Sequence, residues 1–336
     1  MKTSKLVTID HHIANEKSLH PYSTGEFSAL LHDIALAIRI ISREVRRAGL
    51  NEMFGLTGEE NPNGDKVRKL DKFANEIIKN LILQNGNVCC IASEEEKDLV
   101  YAINGENAKY ILVYDPLDGS TNIDVNVTIG SIFSIYRRLD DTIPVNINND
   151  VLQCGMKQVA AGYALYGSST IFVYTTGNGV NVFTYDPTLG EFFLTQKNLK
   201  IPSSGNIYSC NEGNYYNWKP NVRKFVDYLK GANGNERSYM LRYIASGVAD
   251  IHRTLLYGGI YLYPEDTSHP TGKFRLVYEA NALAMIAEQA GGKATDGKQR
   301  ILEIKPTSIH QTTPLIIGSI DEVNLYEKYY RNEINL

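Results

Sequence analysis

Cysteine is scarce: four in 336 residues, at Cys89, Cys90, Cys154 and Cys210. None is set in a CxxC pair, which removes zinc-ribbon and thioredoxin-like readings. Scattered thiols behind a polar start fit a reducing, cytoplasmic setting. No apolar run approaches the ~18–20 residues of a bilayer span. Met1 to Asn15 lacks the apolar region of a signal peptide and the Ser/Arg-rich, acid-poor character of a transit peptide. A cationic excess is missing too. Lys+Arg is 34 against 38 Asp+Glu, a net charge of −4, so neither a dedicated nucleic-acid binder nor adhesion to an anionic membrane is expected. Repeats and low-complexity tracts are absent. What is present is ordinary globular usage, 43% hydrophobic and 21% charged, which excludes disorder and collagen-like structure. The length suggests two domains at ~100–200 residues each, large enough to bury cores without disulfides or a structural metal.

Ser23 to Ala48 reads as an amphipathic helix. Its stripe is Phe27, Leu30, Leu31, Ile34, Ile38, Ile41, Val45 and Ala48, at steps of three and four. Ser23 and Glu26 have capping-box spacing, and Gly49 suits the end. Arg39, Arg43, Arg46 and Arg47 fall off the stripe, on a solvated face. Asn51 to Gly64 is loop-like, and a second helix is expected over Asp65 to Leu83. Strands are expected at Val88–Ala92, Tyr110–Tyr114, Ile132–Tyr136, Gln158–Leu165, Ile171–Tyr174 and Val180–Tyr185. Further on, Val222–Leu229, Tyr243–Tyr257 and Val277–Ala290 read as helices. Gly259–Tyr263, Lys273–Leu276 and Leu315–Gly318 read as extended, with a helix at the tail. This is a layered α/β (α+β) protein. The polar stretch Lys197–Ser204 divides it into 1–198 and 199–336.

Two acidic groups each follow a strand: Ser93-Glu94-Glu95-Glu96, and Asp115-Pro116-Leu117-Asp118-Gly119-Ser120. Ligands of layered α/β folds gather beyond the carboxyl ends of strands. Pro116 is expected to stop its strand, turning Asp115 and Asp118 toward one point. Gly119 and Ser120 then offer backbone N–H groups to a phosphate. Each piece has an ordinary explanation, since Glu runs such as Glu96 are usually surface and Asp-Pro and Asp-Gly are common in turns. Asp71 is harder to dismiss. It lies on the apolar stripe Val67, Leu70, Ala74, Ile77, Ile78, Leu81, where an unpaired carboxylate is costly. Glu279 shares a face with Leu276, Leu283 and Ile286, and is either part of a site or a first-turn acid favoured by the helix dipole. Two carboxylates ~4 Å apart repel by about 4 kcal/mol at an effective dielectric of ~20. Converging oxygen ligands favour Mg²⁺ or Mn²⁺ over zinc, and such ions beside a phosphate seat suit hydrolysis by activated water. His11, His12, His20 and His32 have no companions at ligand spacing and read as ordinary surface or core histidines.

Asp65, Glu94-Glu95 and Asp115 to Ser120 resemble the motif of the lithium-sensitive, Mg²⁺-dependent sugar phosphatases. More specific stretches run in order over nearly the whole chain: Gly64–Asp71, Val159–Gly167, Asn211-Glu212-Gly213, Arg242-Tyr243, Val248–Leu255, Tyr257–Ile260, Leu262-Tyr263-Pro264 and Gly272–Glu279. Together they resemble the class I fructose-1,6-bisphosphatases. The resemblance implies an α-β-α-β-α sandwich, a homotetramer, and gluconeogenic hydrolysis of the 1-phosphate of fructose 1,6-bisphosphate. It implies two or more Mg²⁺ per subunit, replaceable by Mn²⁺, held by Glu94, Asp115, the Leu117 carbonyl, Asp118 and Glu279, with Glu95 and Asp65 completing the sphere. Asp71 and Glu95 would serve as base. Gly119, Ser120 and Arg275 would hold the 1-phosphate; Asn211, Tyr243, Tyr263 and Lys273 the 6-phosphate; Arg242 the 6-phosphate of a neighbouring subunit. The family often has a tyrosine directly after Asn-Glu-Gly. Here Asn214 stands there, which leaves Tyr215 as the substitute.

Thr24, Gly25, Glu26, Lys109, Tyr110 and Arg137 match the family's AMP inhibitor site. AMP would act through the first helices and the Asn51–Gly64 loop, which carries Asp65. The alternatives are a sedoheptulose-1,7-bisphosphatase, another sugar phosphatase of the superfamily, and a regulatory member without catalysis. The Asp-x-Asp of haloacid-dehalogenase phosphatases is absent, because Asp115 and Asp118 are one residue too far apart.

Overall fold

The structure, a computed structural model, describes residues 6–16, 25–140, 144–232 and 238–334. Among them the dominant element is an eight-stranded sheet. From one edge to the other its strands are Glu191–Leu199, Val180–Asp186, Thr170–Thr175, Gln158–Tyr166, Ile129–Arg137, Tyr110–Asp118, Val88–Ser93 and Val100–Tyr101. All neighbours are antiparallel except Val88–Ser93 with Tyr110–Asp118. A five-stranded sheet runs Met240–Leu241, Ile207–Ser209, Ile260–Tyr263, Leu315–Gly318, Lys293–Thr295.

Alternation along the strands builds the layers. Phe133 faces a core with Leu30, Ile34 and Ile38 of helix Gly25–Val45 and Leu70, Ala74 and Ile78 of helix Lys69–Leu83. Its neighbour Ile132 faces the opposite core, with Val248 and Ile251 of helix Gly247–Tyr257 and Leu283 and Ile286 of helix Asn281–Gln289. That second core is closed by Tyr261 and Ile317 of the smaller sheet. Ile316, one residue earlier, points outward with Ile260 to Phe225 of helix Pro220–Leu229 and Tyr326 of helix Ile320–Tyr330. The order is α-β-α-β-α, with the central helices packed between both sheets.

Several elements differ from expectation. Pro116 does not stop its strand, which runs on to Asp118 through a break in register between Asp115 and Asp118. The flanking strand pairs only as far as Tyr114, so on that side the missing N–H of Pro116 leaves no ladder bond unmade. The helix expected from Asp65 starts at Lys69. Lys66–Arg68 instead pairs with Leu56–Glu60 across the supposed loop, and the Arg68 N–H donates to Asp71 Oδ2 at 2.9 Å. The helix expected from Tyr243 starts at Gly247, because Ala245 has φ 63°. A wide π-type turn at Leu276–Ala280 precedes helix Asn281–Gln289. The arginine face is not wholly solvated: Arg39 reaches Glu191 at 2.6 Å and stacks over Phe192. The cap expected at Ser23 lies outside the described residues.

Candidate active site

The two parallel strands place the first carboxylates. Ser93 is in register with Tyr114, so Glu94, just past the end of its strand, stands beside Asp115, which is still paired with Ile132 on its other side. Glu279 comes in from the π-type turn below. One oxygen of each of Glu94, Asp115 and Glu279 lies within 4.8 Å of the others. Asp118 completes the floor, its Oδ2 accepting from Ser246 Oγ at 2.8 Å and the Val248 N–H at 2.9 Å. Burial raises the pKa of Glu94, Asp115, Glu279 and Asp118; the charge of Glu94 adds to it at Asp115 and Glu279, Arg275 opposes it at Glu94 and Glu279, and hydrogen bonds oppose it at Asp118.

Asp71 and Glu95 form the adjoining wall. Asp71 is 3% exposed, and burial lifts its carboxyl to about 7. Its Oδ1 is buried without a partner. Glu95 is lifted to about 8 by burial, then by the charges of Asp71 and Glu94. Behind this wall Asn75, one turn from Asp71, ties helix to strand. Its Oδ1 accepts from Ser93 Oγ and Tyr114 Oη, both at 2.8 Å. Its amide donates to Glu96 at 2.8 Å, and Lys79 joins the same carboxylate at 2.7 Å. Glu96, expected on the surface, is half-buried.

Opposite the acids stands Arg275. Its Nη2 lies 3.1 Å from Asp65 and 3.9 Å from Glu94, and its N–H donates to Glu279. The cavity between these walls has a volume of about 510 Å³. Leu117, Gly119, Ser120, Asn211, Tyr243, Tyr263 and Lys273 also line it. Lys273 is exposed and has no carboxylate partner among the described residues. Gly119 is required as glycine: its φ is 77° and a Cβ would stand 2.8 Å from Ser246 Cβ. One residue expected in this cavity is not brought in, and Arg242, expected to serve a neighbouring subunit, faces outward. Tyr215 does not line the cavity; its hydroxyl donates to Asp227 at 2.7 Å and its ring lies under Lys230, so its polar end is already satisfied elsewhere. Arg242 is exposed, with Nη1 on the Leu241 carbonyl.

A separate cluster lies at the far end of the same strand. Lys109 Nζ is 3.3 Å from Glu26, Tyr110 packs on Phe27, and Arg137 is opposite Tyr110 in register. Gly25 opens the adjoining helix. Thr24 lies outside the described residues.

Sequence reasoning did not single out Asn75, Ser246 or Asp250. Ser246 caps the helix Gly247–Tyr257 and holds Asp118; a serine at the head of the apolar stretch Gly247–Leu255 was the available signal. Buried Asp250 accepts from the N–H groups of Ile244 and Ala245 at 3.0 to 3.2 Å, fixing the loop that presents Tyr243.

Converging carboxylates faced by cations across one cavity in a layered α/β fold are the arrangement a phosphoric ester hydrolase uses. Two family descriptions, the N-terminal and C-terminal domains of fructose-1-6-bisphosphatase, match residues 7–197 and 201–331. The chain belongs to the fructose-1,6-bisphosphatase family, in its class 1 branch. The class 1 enzyme of Chlorobium phaeovibrioides is 51% identical over 328 residues, covering 97% of this chain and 98% of that one. The class 1 enzyme of Chloroherpeton thalassium is 49% identical over 325 residues, covering 96% and 93%. The crystal structure of the Leishmania major fructose-1,6-bisphosphatase in holo form matches with a TM-score of 0.91 at 42% identity, covering 98% of this chain and 100% of that one. The T-state structure of that enzyme gives 0.86 at 42% identity, covering 97% and 99%. Among the described residues no helix is long and apolar enough to cross a membrane.

Proposed function

We propose that the cavity hydrolyses the 1-phosphate of D-fructose 1,6-bisphosphate, releasing fructose 6-phosphate and inorganic phosphate. The observation that carries this is one cavity with the Glu94, Asp115 and Glu279 carboxylates at one wall and Lys273 beside Arg275 at another. The donor set fits divalent cations: oxygen donors only, within reach of one another, and pushed toward the neutral form by burial, a cost that a bound cation would offset. Hard oxygen sites of this kind take Mg²⁺ or Mn²⁺. Glu94, Asp115, Asp118, Glu279 and the Leu117 carbonyl would hold the ions, with Glu95 and Asp65 at the edge. Bound there, such ions polarise a phosphoryl oxygen and lower the pKa of coordinated water.

The chain's own residues divide the remaining work. Asp71 and Glu95 accept the proton of the attacking water; carboxyls near 7 and 8 are suited to that at neutral pH. The Gly119 and Ser120 amides and Arg275 orient the 1-phosphate. Asn211, Tyr243, Tyr263 and Lys273 hold the 6-phosphate, and a second phosphate group is what gives Lys273 an ionic partner. Arg242, turned outward, serves the cavity of a neighbouring subunit in a homotetramer. AMP binds at Gly25, Glu26, Lys109, Tyr110 and Arg137 and inhibits. The setting is the cytoplasm and the pathway direction gluconeogenic, with the chain divided near residue 198 into a metal-binding and a sugar-binding half. The same cavity admits sedoheptulose 1,7-bisphosphate as the alternative substrate.

The test is phosphate release from fructose 1,6-bisphosphate with Mg²⁺ or with EDTA, beside sedoheptulose 1,7-bisphosphate and inositol 1-phosphate. Rapid Mg²⁺-dependent release from the first supports the proposal. Release from inositol 1-phosphate alone, or from none, overturns it.

A further inference from the structure

Asp65 stands on the turn between the paired segments Leu56–Glu60 and Lys66–Arg68, and more than half of its side chain is exposed. Something must hold that turn over the cavity. Within the turn, Asn61 Oδ1 accepts from the N–H groups of Asn63 and Asp65 at 3.0 and 2.9 Å. Those bonds stiffen the turn; Asn61 also hydrogen-bonds Glu95 and Asp65 pairs with Arg275, both contacts to the site itself. Asn63 makes an attachment beyond the turn: its Nδ2 donates to Tyr278 Oη at 3.3 Å. Tyr278 is fully buried. Its hydroxyl lies 2.9 Å from His310 Nδ1, and the other ring nitrogen, Nε2, lies 3.2 Å from the Lys97 carbonyl.

The direction of every proton in this chain is determined. A carbonyl only accepts, so His310 Nε2 carries a hydrogen. Burial holds the ring pKa below the usual histidine value, so in the neutral ring Nδ1 is an acceptor. The Tyr278 hydroxyl therefore donates to His310, and its lone pairs are left to receive Asn63. Each partner is fixed by the one behind it, ending on the backbone just after Glu94-Glu95-Glu96.

We propose that Tyr278 and His310 form a latch that holds the Asn61–Asp65 turn, and with it Asp65, against Arg275. Tyr278 and His310 are positioning residues, with no contact to substrate. The functional part of the inference rests on the bisphosphatase reading above; the latch itself does not.

The test uses the full-length protein with and without Mg²⁺. Hydrogen exchange is followed over residues 56–68 in wild type, Asn63→Ala, Tyr278→Phe, His310→Ala and His310→Asn, beside steady-state kinetics. Asn63→Ala and Tyr278→Phe should each speed exchange in that segment alone and cost about 10–100-fold in kcat or in Mg²⁺ half-saturation, the range for outer-sphere partners. The double variant should be no worse than either single one. His310→Asn, which keeps an acceptor for the Tyr278 hydroxyl, should retain more protection than His310→Ala. Unchanged exchange at 56–68 in Asn63→Ala, or fully additive kinetic losses, overturns the latch. Asn63 is only half-buried, so that variant keeps the test decisive if Tyr278→Phe does not fold. A wild type that does not cleave the bisphosphate but shows these exchange effects keeps the latch and removes the bisphosphatase reading.

Discussion

Arg275 joins Asp65 at 3.1 Å across 210 positions of sequence, while its backbone N–H donates to Glu279. One residue thus touches both the exposed turn and the buried carboxylates. The two contacts differ in weight. The Asp65 side chain is 54% exposed, and a pair of that kind contributes about 0–1 kcal/mol.

Asp65→Asn should therefore leave the melting temperature within about 2 °C, while lowering the rate at limiting Mg²⁺ by at least about tenfold. Thermal melts beside phosphate-release assays check this. A large drop in stability with an unchanged rate would show that the turn is structural only.

Asp71→Asn and Glu95→Gln should each lower kcat by roughly 10²–10⁴, the usual contribution of a positioned proton acceptor. Asp71→Asn should not destabilise the metal-free protein, because the carboxylate it replaces is buried with Oδ1 unpartnered. Single-turnover rates and urea denaturation separate the two effects.

The metal-free protein should lose stability as pH rises. Asp71 and Glu95 have folded-state pKa values near 7 and 8, above their ordinary values of 3.8 and 4.5. Their contribution is full below about pH 4 and is lost as pH climbs through 7 and 8. His252 acts in the opposite sense. Burial lowers it to about 4, so its contribution is present above its unfolded value of 6.5 and lost as pH falls toward 4. Denaturation in EDTA between pH 6.5 and 9 isolates the carboxylates and should slope downward. Saturating Mg²⁺ should flatten the slope, since cation binding requires the deprotonated form.

Asn75→Ala leaves the Ser93 and Tyr114 hydroxyls and part of Glu96 without their partner. Buried polar groups stranded in this way should cost about 3 kcal/mol together. The rate should fall as well, because the same network holds the strand end carrying Glu94. Chemical denaturation and kcat check both, and Asn75→Asp tests whether the acceptor alone suffices.

Lys273→Ala should raise KM for the bisphosphate about 10–100-fold with a smaller change in kcat, as expected for a charged hydrogen bond to a non-reacting phosphate. A fall confined to kcat would place Lys273 at the transferred phosphate instead.

The layers were legible because their signals were periodic. The stripe from Phe27 to Ala48 implies one buried face, and a core forms on it; the apolar runs at Ile132–Tyr136 and Gln158–Leu165 read as strands, and the structure buries both of their faces, one in each core. Asp71 was legible for the same reason, as a polar residue in an apolar position. The hairpin at Leu56–Arg68 was not, since its pattern is mostly polar and its fold depends on tertiary contacts such as Asp124, which accepts from the Gly55 N–H at 2.9 Å and pairs with Arg68. Pro116 misled because a strand rule assumes two neighbours, and one side here has none beyond Tyr114. Asn75 gave no signal: its partners Ser93 and Tyr114 are 18 and 39 residues away, and only the fold brings them together. The place of Tyr215 was likewise decided by Asp227 and Lys230, which local spacing does not reveal.

The bonds from Ser246 and the Val248 N–H to Asp118 span 128 and 130 residues, and Glu279 reaches the same floor from further still. The site should consequently be a late product of folding. Residues up to 198 contain most of the acids, yet an isolated N-terminal fragment would lack the capping of Asp118 and the third member of the Glu94–Asp115–Glu279 group. Contacts this distant carry a loop-closure cost that must be met before they contribute. Refolding should therefore regain secondary structure well before metal affinity, and a nascent chain emerging from the ribosome should be inert until the turn bearing Glu279 has docked.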